Sequence, residues 1–214
     1  MPANIYKNKA GKRVPGVTTI ISGNLGWNKQ QLMHWANAQG LDGKSHREVA
    51  EKAADIGTVA HKMVELEITG QKFDWPQLGM DMGLDSDGIK KAQLAFSAFV
   101  EWRELVNFEL LHAEHLLVSE ELQVGGQIDI AAVQNKTAIV DIKTSNDVYA
   151  DHKIQIAAYG ALWNEHYPDN PIEAYYILKL GKDGSFAYYY WPELANGLEA
   201  FKLLRRLHGL KKEI

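Results

Sequence analysis

At 214 residues, 46% hydrophobic and 23% charged, the chain has the make-up of a soluble globular protein with room for a real core. It contains no cysteine, which excludes disulfides, iron–sulfur clusters and cysteine-held zinc, so any metal must be held by His, Asp, Glu or backbone oxygen. The net charge of −4 argues against a large non-specific nucleic-acid binder, and the lack of an apolar run of about 18 residues argues against a membrane span.

The opening, Met1 to Lys7, has no apolar signal core, and a cytoplasmic location is expected. Basic residues gather there (Lys7, Lys9, Lys12, Arg13) and again near the end (Lys202, Arg205, Arg206, Lys211, Lys212); each patch alone reads as a solvated surface. Val17 to Ile21 is β-branched and short, bounded by Gly16 and Gly23. Residues 28–39 read as a helix, with Leu32, Trp35 and Ala36 on one side. Ser45 to Ile68 reads as a long helix, because Val49, Ala53, Ile56, Ala60, Val64 and Ile68 recur at helical spacing; Gly70 ends it. Residues 71–85, rich in Gly, Asp and Pro, read as a loop. Ser86 is the expected N-cap of a third helix with the stripe Ile89, Ala92, Phe96, Phe99, Trp102.

Then the period changes from helical to alternating. Phe108–Val118, Leu122–Val133 and Thr137–Lys143 read as a three-stranded meander. Asp147–Tyr167 reads as a helix, Ile172–Lys179 and Phe186–Trp191 as a hairpin, and Glu193–Leu207 as a final helix after Pro192. The expected fold is α+β: a mixed central sheet of order βββαββα flanked by helices, with a helical N-terminal half. No linker separates two units, so residues 1–214 are expected to form one domain, 1–107 a helical cap with a metal-site helix and 108–214 the core.

The chemistry concentrates in Gly126-Gln-Ile-Asp129 and Val140-Asp-Ile-Lys-Thr144. On a strand, residues i and i+2 share a face, so Asp141 and Lys143 point the same way. A carboxylate and an ammonium side by side, with Asp129 from the neighbouring strand, suggest a divalent-cation site with a built-in lysine. A two-residue turn at Asn135-Lys136 would pair Asp129 with Ile142 and separate the two aspartates; a three-residue connection, Gln134-Asn135-Lys136, or a bulge would pair Asp129 with Asp141. The site requires the second register. Gly125-Gly126 allows close approach of a backbone or ligand.

On the long helix, His61 and Glu65 lie one turn apart, and Gly57, four residues before His61, leaves room on that face. After Lys143, Gln155 and Tyr159 share a helix face, with His152 near it; an amide can orient a water or a phosphate, and a phenol can stack on a base or bond a phosphate. Glu114, among leucines on the strand before Asp129, either reaches the site or sits at an exposed edge. His112 and His115 stand at i and i+3, which on a regular strand puts them on opposite faces and argues against a shared zinc.

Together these residues resemble the PD-(D/E)xK nuclease superfamily, and within it the RecB-like exonuclease branch. The matching pattern is Gly57-Thr58-x-x-His61-x-x-x-Glu65, Glu114, Gly126-x-x-Asp129, Asp141-x-Lys143-Thr144 and Gln155-x-x-x-Tyr159. Val14-Pro-Gly-Val-Thr-Thr-Ile-Ile21 also looks like the Pro-Ser-Val-Thr opening of phage-type members and of the mitochondrial genome maintenance exonucleases, with Gly16 in place of the serine. The resemblance implies a restriction-endonuclease-like core and one or two Mg²⁺ or Mn²⁺ ions held by His61, Asp129, Asp141 and the backbone carbonyl of Ile142. Glu114 and Glu65 would serve a second ion or support the first. Lys143 would activate the attacking water and stabilise charge on the phosphate; Gln155 and Tyr159 would orient Lys143 or, with Thr144, contact DNA. The expected activity is that of a metal-dependent DNA exonuclease acting at ends or on single strands, with a phage or bacterial role in recombination, repair or replication. Two other functions stay open: a flap- or branch-selective endonuclease, and a non-catalytic nucleic-acid-binding protein on a nuclease fold. Trp27, Trp35 and Trp75 are candidates for base stacking or for the core.

Overall fold

The structure is a computed structural model that describes residues 4–133 and 135–214. The start of the N-terminal reading (Met1 to Ala3) and Gln134 of the predicted three-residue connection lie outside the described residues.

The chain opens with two short strands, β1 (Tyr6–Lys7) and β2 (Arg13–Val14), which pair with each other. Four helices follow: α1 (Val17–Asn24), α2 (Lys29–Leu41), α3 (His46–Ile68) and α4 (Trp75–Asp81). Next come α5 (Ser86–Leu105), the meander β3 (Glu109–Ser119), β4 (Val124–Val133) and β5 (Thr137–Lys143), then α6 (Ala150–His166), β6 (Ala174–Leu180), β7 (Phe186–Trp191) and α7 (Ala195–Leu210). The main sheet has the order β3-β4-β5-β6-β7, antiparallel except for the parallel pair β5–β6, which α6 connects. This is the expected α+β fold with a mixed, helix-flanked sheet. Among the described residues, no helix is long and apolar enough to cross a membrane.

Two cores hold the sheet between helices. On one face, Val59 and Met63 of α3 and Phe99 and Trp102 of α5 pack on Ile130, Val140, Ile142 and Leu178. On the other, Ile20 of α1, Leu162 and Trp163 of α6 and Phe201 of α7 pack on Ile128 and Ile139. Each of these large side chains contributes about 1.5–3 kcal/mol by leaving water. β5 is buried along six of its seven residues, as a strand covered on both faces must be.

Besides β1 and β2, which fall where the sequence predicts no element, three elements depart from the expected pattern. Residues 71–85 contain a helix, α4, started by Asp74, whose side chain accepts the Gln77 N–H, and by Pro76 in its first turn, where a missing N–H costs nothing. The N-cap of α5 is Asp85, accepting the Gly88 N–H, and Ser86 is its first residue. Val17 to Ile21 is helical despite its β-branched content, because Val17, Ile20 and Ile21 are one buried stripe at i, i+3, i+4.

Candidate active site

The register between β4 and β5 runs from Val133↔Thr137 to Ile130↔Val140, the register that the site requires. Carried one step further, it sets Asp129 opposite Asp141. There the ladder opens: the paired register ends at Ile130↔Val140, and the Asp129 carboxylate accepts the Ile142 N–H at 2.7 Å. On the other side of β4, Glu114 stands opposite Asp129 with φ +49°, in the left-handed region that non-glycine residues rarely occupy. A β-bulge between Leu110 and His112 precedes it. Strained backbone beside a charged cluster is a mark of a functional site.

The same kink overturns the expectation for His112 and His115. Their rings stack, with centroids 4.1 Å apart and planes 20° apart, because the left-handed residue between them breaks the strand's alternation. They pack on Trp163 and Tyr167, and the His115 Nε2 meets the Tyr167 hydroxyl at 2.9 Å.

His61 reaches this cluster from α3. Its Nδ1 lies 3.8 Å from Asp129 Oδ2, and His61, Glu114 and Asp129 each bring a donor atom within 4.8 Å of the others. What lets α3 come so close is Gly57: a Cβ there would stand 2.6 Å from Thr144 Oγ1. Gly125 and Gly126 play the same part for aromatic rings, since a Cβ would meet Tyr6 at the first and Tyr159 at the second.

Asp141 is placed differently. It is 1% exposed, and its Oδ2 sits 2.6 Å from the Lys143 ammonium. The Gln155 amide spans from the Tyr159 hydroxyl (2.9 Å) toward the other Asp141 oxygen (3.5 Å). Tyr159 itself is buried. Glu65 pairs with Lys62 at 2.7 Å, and Gln127 donates to Glu114 at 2.6 Å. The His61–Glu114–Asp129 cluster and Lys143 open onto a cleft of about 690 Å³, walled by α3, the β1–β2 region and the start of α1, which Asp141 does not line. Of the sequence candidates, His61, Glu65, Glu114, Asp129, Ile142, Lys143, Thr144 and Tyr159 all line it. Gln155 lines a neighbouring hollow that Lys143 also borders. Asn4, Tyr6, Arg13, Thr18, Thr19, Lys62 and Gln127 line the main cleft too, and the sequence pattern does not single them out as site residues. Gln127 alone carries a signal, standing two residues before Asp129 on one strand. Trp27 is exposed, whereas Trp35 meets His46 edge-on.

The electrostatics follow from burying charges together. Burial raises the Asp129 carboxyl above its ordinary value, against the pull of Lys143 and the Ile142 N–H; Asp141 is raised for the same reason. Burial opposes charge on Lys143, but the carboxylates of Asp141 and Asp129 outweigh it, and its pKa is raised. His61 is pushed down to about 4 by burial and by Lys143, so it is a neutral donor near pH 7. Glu114 is pushed up to about 8, first by burial and then by Asp129 and Glu65. One imidazole and two carboxylates form a donor set of the kind that holds Mg²⁺ or Mn²⁺. The donors of one such ion stand up to about 4.2 Å apart, so atoms that already lie within 4.8 Å of one another need at most small side-chain rotations to hold it.

A raised carboxyl pKa favours the folded state below the unfolded value of 4.5, and that advantage is lost as pH rises through about 8. Glu114→Gln is therefore expected to raise the melting temperature of the metal-free protein at pH 8.5 by roughly 3–6 °C and to change it little at pH 4.5. Thermal unfolding followed by circular dichroism at both pH values checks this; parallel curves for the two proteins would refute it.

No protein-family profile and no curated protein sequence matches the chain. Among solved structures, it is similar to a protein of Eubacterium rectale named "Putative exonuclease", with a TM-score of 0.50 and 11% identity. The match covers 75% of this chain and 65% of that one, so the chain spans less than two thirds of its neighbour's length. A structure of a protein named SSO0001 matches 69% of this chain and 85% of its own, with a TM-score of 0.33 and 15% identity. The likeness to the Eubacterium rectale protein is one of fold.

Proposed function

We propose that this chain is a metal-dependent phosphodiesterase of the PD-(D/E)xK type, RecB-like branch, that degrades DNA from strand ends. One observation carries the reading: His61, Glu114, Asp129 and Lys143 converge in a single cleft, with the buried Asp141 paired to Lys143 behind its wall. The fold neighbour named as an exonuclease is in keeping with it.

His61, Glu114 and Asp129 would hold the ion, with the Ile142 carbonyl beside His61 and Asp141 at the margin. When bound, Mg²⁺ or Mn²⁺ lowers the pKa of a coordinated water and offsets charge on the phosphate. Lys143, kept protonated by Asp141 and Asp129, supplies a fixed positive charge where negative charge develops on the phosphate oxygens. Gln155, braced by Tyr159, holds Asp141 and through it the ammonium. Glu114 must lose its proton before it can bind a cation, which makes loading easier as pH rises toward 8. Arg13, Lys62 and Thr18 line the cleft where a strand's phosphates would pass. A cleft of about 690 Å³ is of ligand-pocket size, which suits a strand end better than a duplex. Recombination, repair or replication are the settings in which such an activity would serve.

The test is digestion of end-labelled linear single-stranded DNA beside circular single-stranded DNA, with Mg²⁺, Mn²⁺ or EDTA. Metal-dependent loss of the linear strand alone is expected, and the label position gives the polarity. Cutting of the circle would replace the exonuclease with an endonuclease. Failure to cut single-stranded, duplex and branched DNA would replace it with a binding protein.

A further inference from the structure

The two edges of the main sheet are built in opposite ways. The β3 edge is blunted by a bulge, a left-handed residue at Glu114 and charges at Glu109 and Glu114. Such devices stop a strand edge from pairing with another chain. The β7 edge has none of them. Phe186-Ala-Tyr-Tyr-Tyr-Trp191 has no charged residue and no proline, and pairs with β6 in six unbroken steps. Tyr188, Tyr189 and Tyr190 are 56%, 37% and 47% exposed, and among the described residues no strand pairs with the outer side of β7.

The alternation of an antiparallel ladder shows which backbone groups are free. The Gly181 N–H donates to the Ser185 carbonyl, so the hydrogen-bonded pairs that follow are Lys179–Ala187, Ile177–Tyr189 and Tyr175–Trp191. Phe186, Tyr188 and Tyr190 therefore turn their N–H and C=O groups outward. Their side chains share one face, where Tyr190 packs on Tyr176. On the opposite face, Tyr189 stacks on Trp191, and Lys153 lies over the Trp191 ring.

We infer that β7 is a self-association edge, pairing antiparallel with β7 of a second copy of this chain across a two-fold axis. A two-fold interface brings each patch against itself, so like charges on it would repel; β7 carries none. A register centred on Tyr188 sets Phe186 against Tyr190 of the second copy and Tyr188 against its counterpart. All three outward residues then find both a donor and an acceptor, and the cross-strand pairs are aromatic on one face. The two five-stranded sheets become one continuous sheet, with the two clefts lying on separate subunits. This assembly is independent of the nuclease reading. A nucleic-acid strand stacking on Phe186, Tyr188 and Tyr190 would need cations along that face, and β7 supplies none; Lys153 lies over Trp191 on the opposite face.

The test is sedimentation velocity of the full chain across a range of concentrations up to the solubility limit. The expected result is a concentration-dependent species of twice the 24.0 kDa chain mass. Tyr188→Lys places like charges at the axis, and Tyr190→Pro removes one outward N–H while leaving the β6 ladder intact. Each is expected to weaken dimerisation by at least about 10-fold, the worth of roughly 1.4 kcal/mol, with an unchanged circular dichroism spectrum. Since the chain has no cysteine, Tyr188→Cys gives a single thiol, which a short bis-maleimide should link to its counterpart. A wild-type chain that stays monomeric throughout would overturn the inference. So would dimers that survive both substitutions, an introduced thiol at position 188 that stays unlinked in a dimer, or a monomer that binds oligonucleotides through β7.

Discussion

Replacing Lys143 with alanine is expected to lower the proposed DNA cleavage by about 10²–10³-fold, the loss of one preorganised positive group facing the developing charge on phosphate. It should destabilise the protein as well, for a separate reason. Asp141 is 1% exposed and its ion-pair partner, at 2.6 Å, is Lys143. Removing one member of a buried pair leaves an uncompensated charge, at a cost of about 3–5 kcal/mol. Burial already holds the Asp141 carboxyl above its ordinary range, and Lys143 is the main influence pulling it down. Without Lys143 the carboxyl takes up a proton more readily, so the stability loss is greatest at high pH and shrinks as pH falls. Lys143→Ala/Asp141→Asn removes both charges. It should recover most of the stability and none of the cleavage. Urea unfolding in mildly acidic and mildly alkaline buffer, beside the digestion assay, separates the two effects. Equal recovery of both would show that Lys143 acts only through folding.

Gly57→Ala should weaken the site without touching any of its donors. The added methyl would stand 2.6 Å from Thr144 Oγ1, well inside contact distance. Either α3 moves away, taking His61 with it, or Thr144 turns and disturbs the end of β5. Displacement of about 1 Å at such a site costs on the order of 10²-fold in rate. Mn²⁺ affinity should fall with it, because His61 is one of the proposed donors and Gly57 lies one turn before it on α3. Thr144→Ala removes the offending oxygen, so Gly57→Ala/Thr144→Ala should bind Mn²⁺ nearly as tightly as Thr144→Ala alone. Titration calorimetry with Mn²⁺ on the four proteins of this cycle measures the coupling. Simple additivity would mean that Gly57 serves α3 in another way.

Much of the molecule is legible in local pattern. The stripe from Val49 to Ile68 predicts α3, and the apolar run of β5 and the uncharged β7 carry their own boundaries. The residues His61, Asp129, Asp141 and Lys143 stand out because carboxylate, lysine and imidazole fall at these spacings beside the apolar runs of β4 and β5 and the apolar stripe of α3. Their union in space is only implied: two registers of the β4–β5 hairpin are open to the sequence, and one would put the aspartates on opposite faces.

What stays hidden depends on contacts between segments distant in sequence. Val17 to Ile21 favours a strand by intrinsic preference, and becomes α1 because its stripe is buried against α6, α7 and β4. Glu114 comes beside His61 and Asp129 through a backbone turn at φ +49°, which also stacks His112 on His115; alternation along a strand cannot foresee a residue that breaks it. Tyr6 reaches the cleft by lying on Gly125, far along the chain. Periodicity and side-chain chemistry are local, so the long helices, the strands of the main sheet and the principal charged groups of the cleft can be read from the linear chain. Which carboxylate faces His61 and which pairs with Lys143 is a matter of long-range packing. That choice rests on the opening of the β4–β5 ladder at Asp129, on the close approach of α3 at Gly57, and on the burial that shifts the protons of Glu114, Asp129, Asp141 and His61.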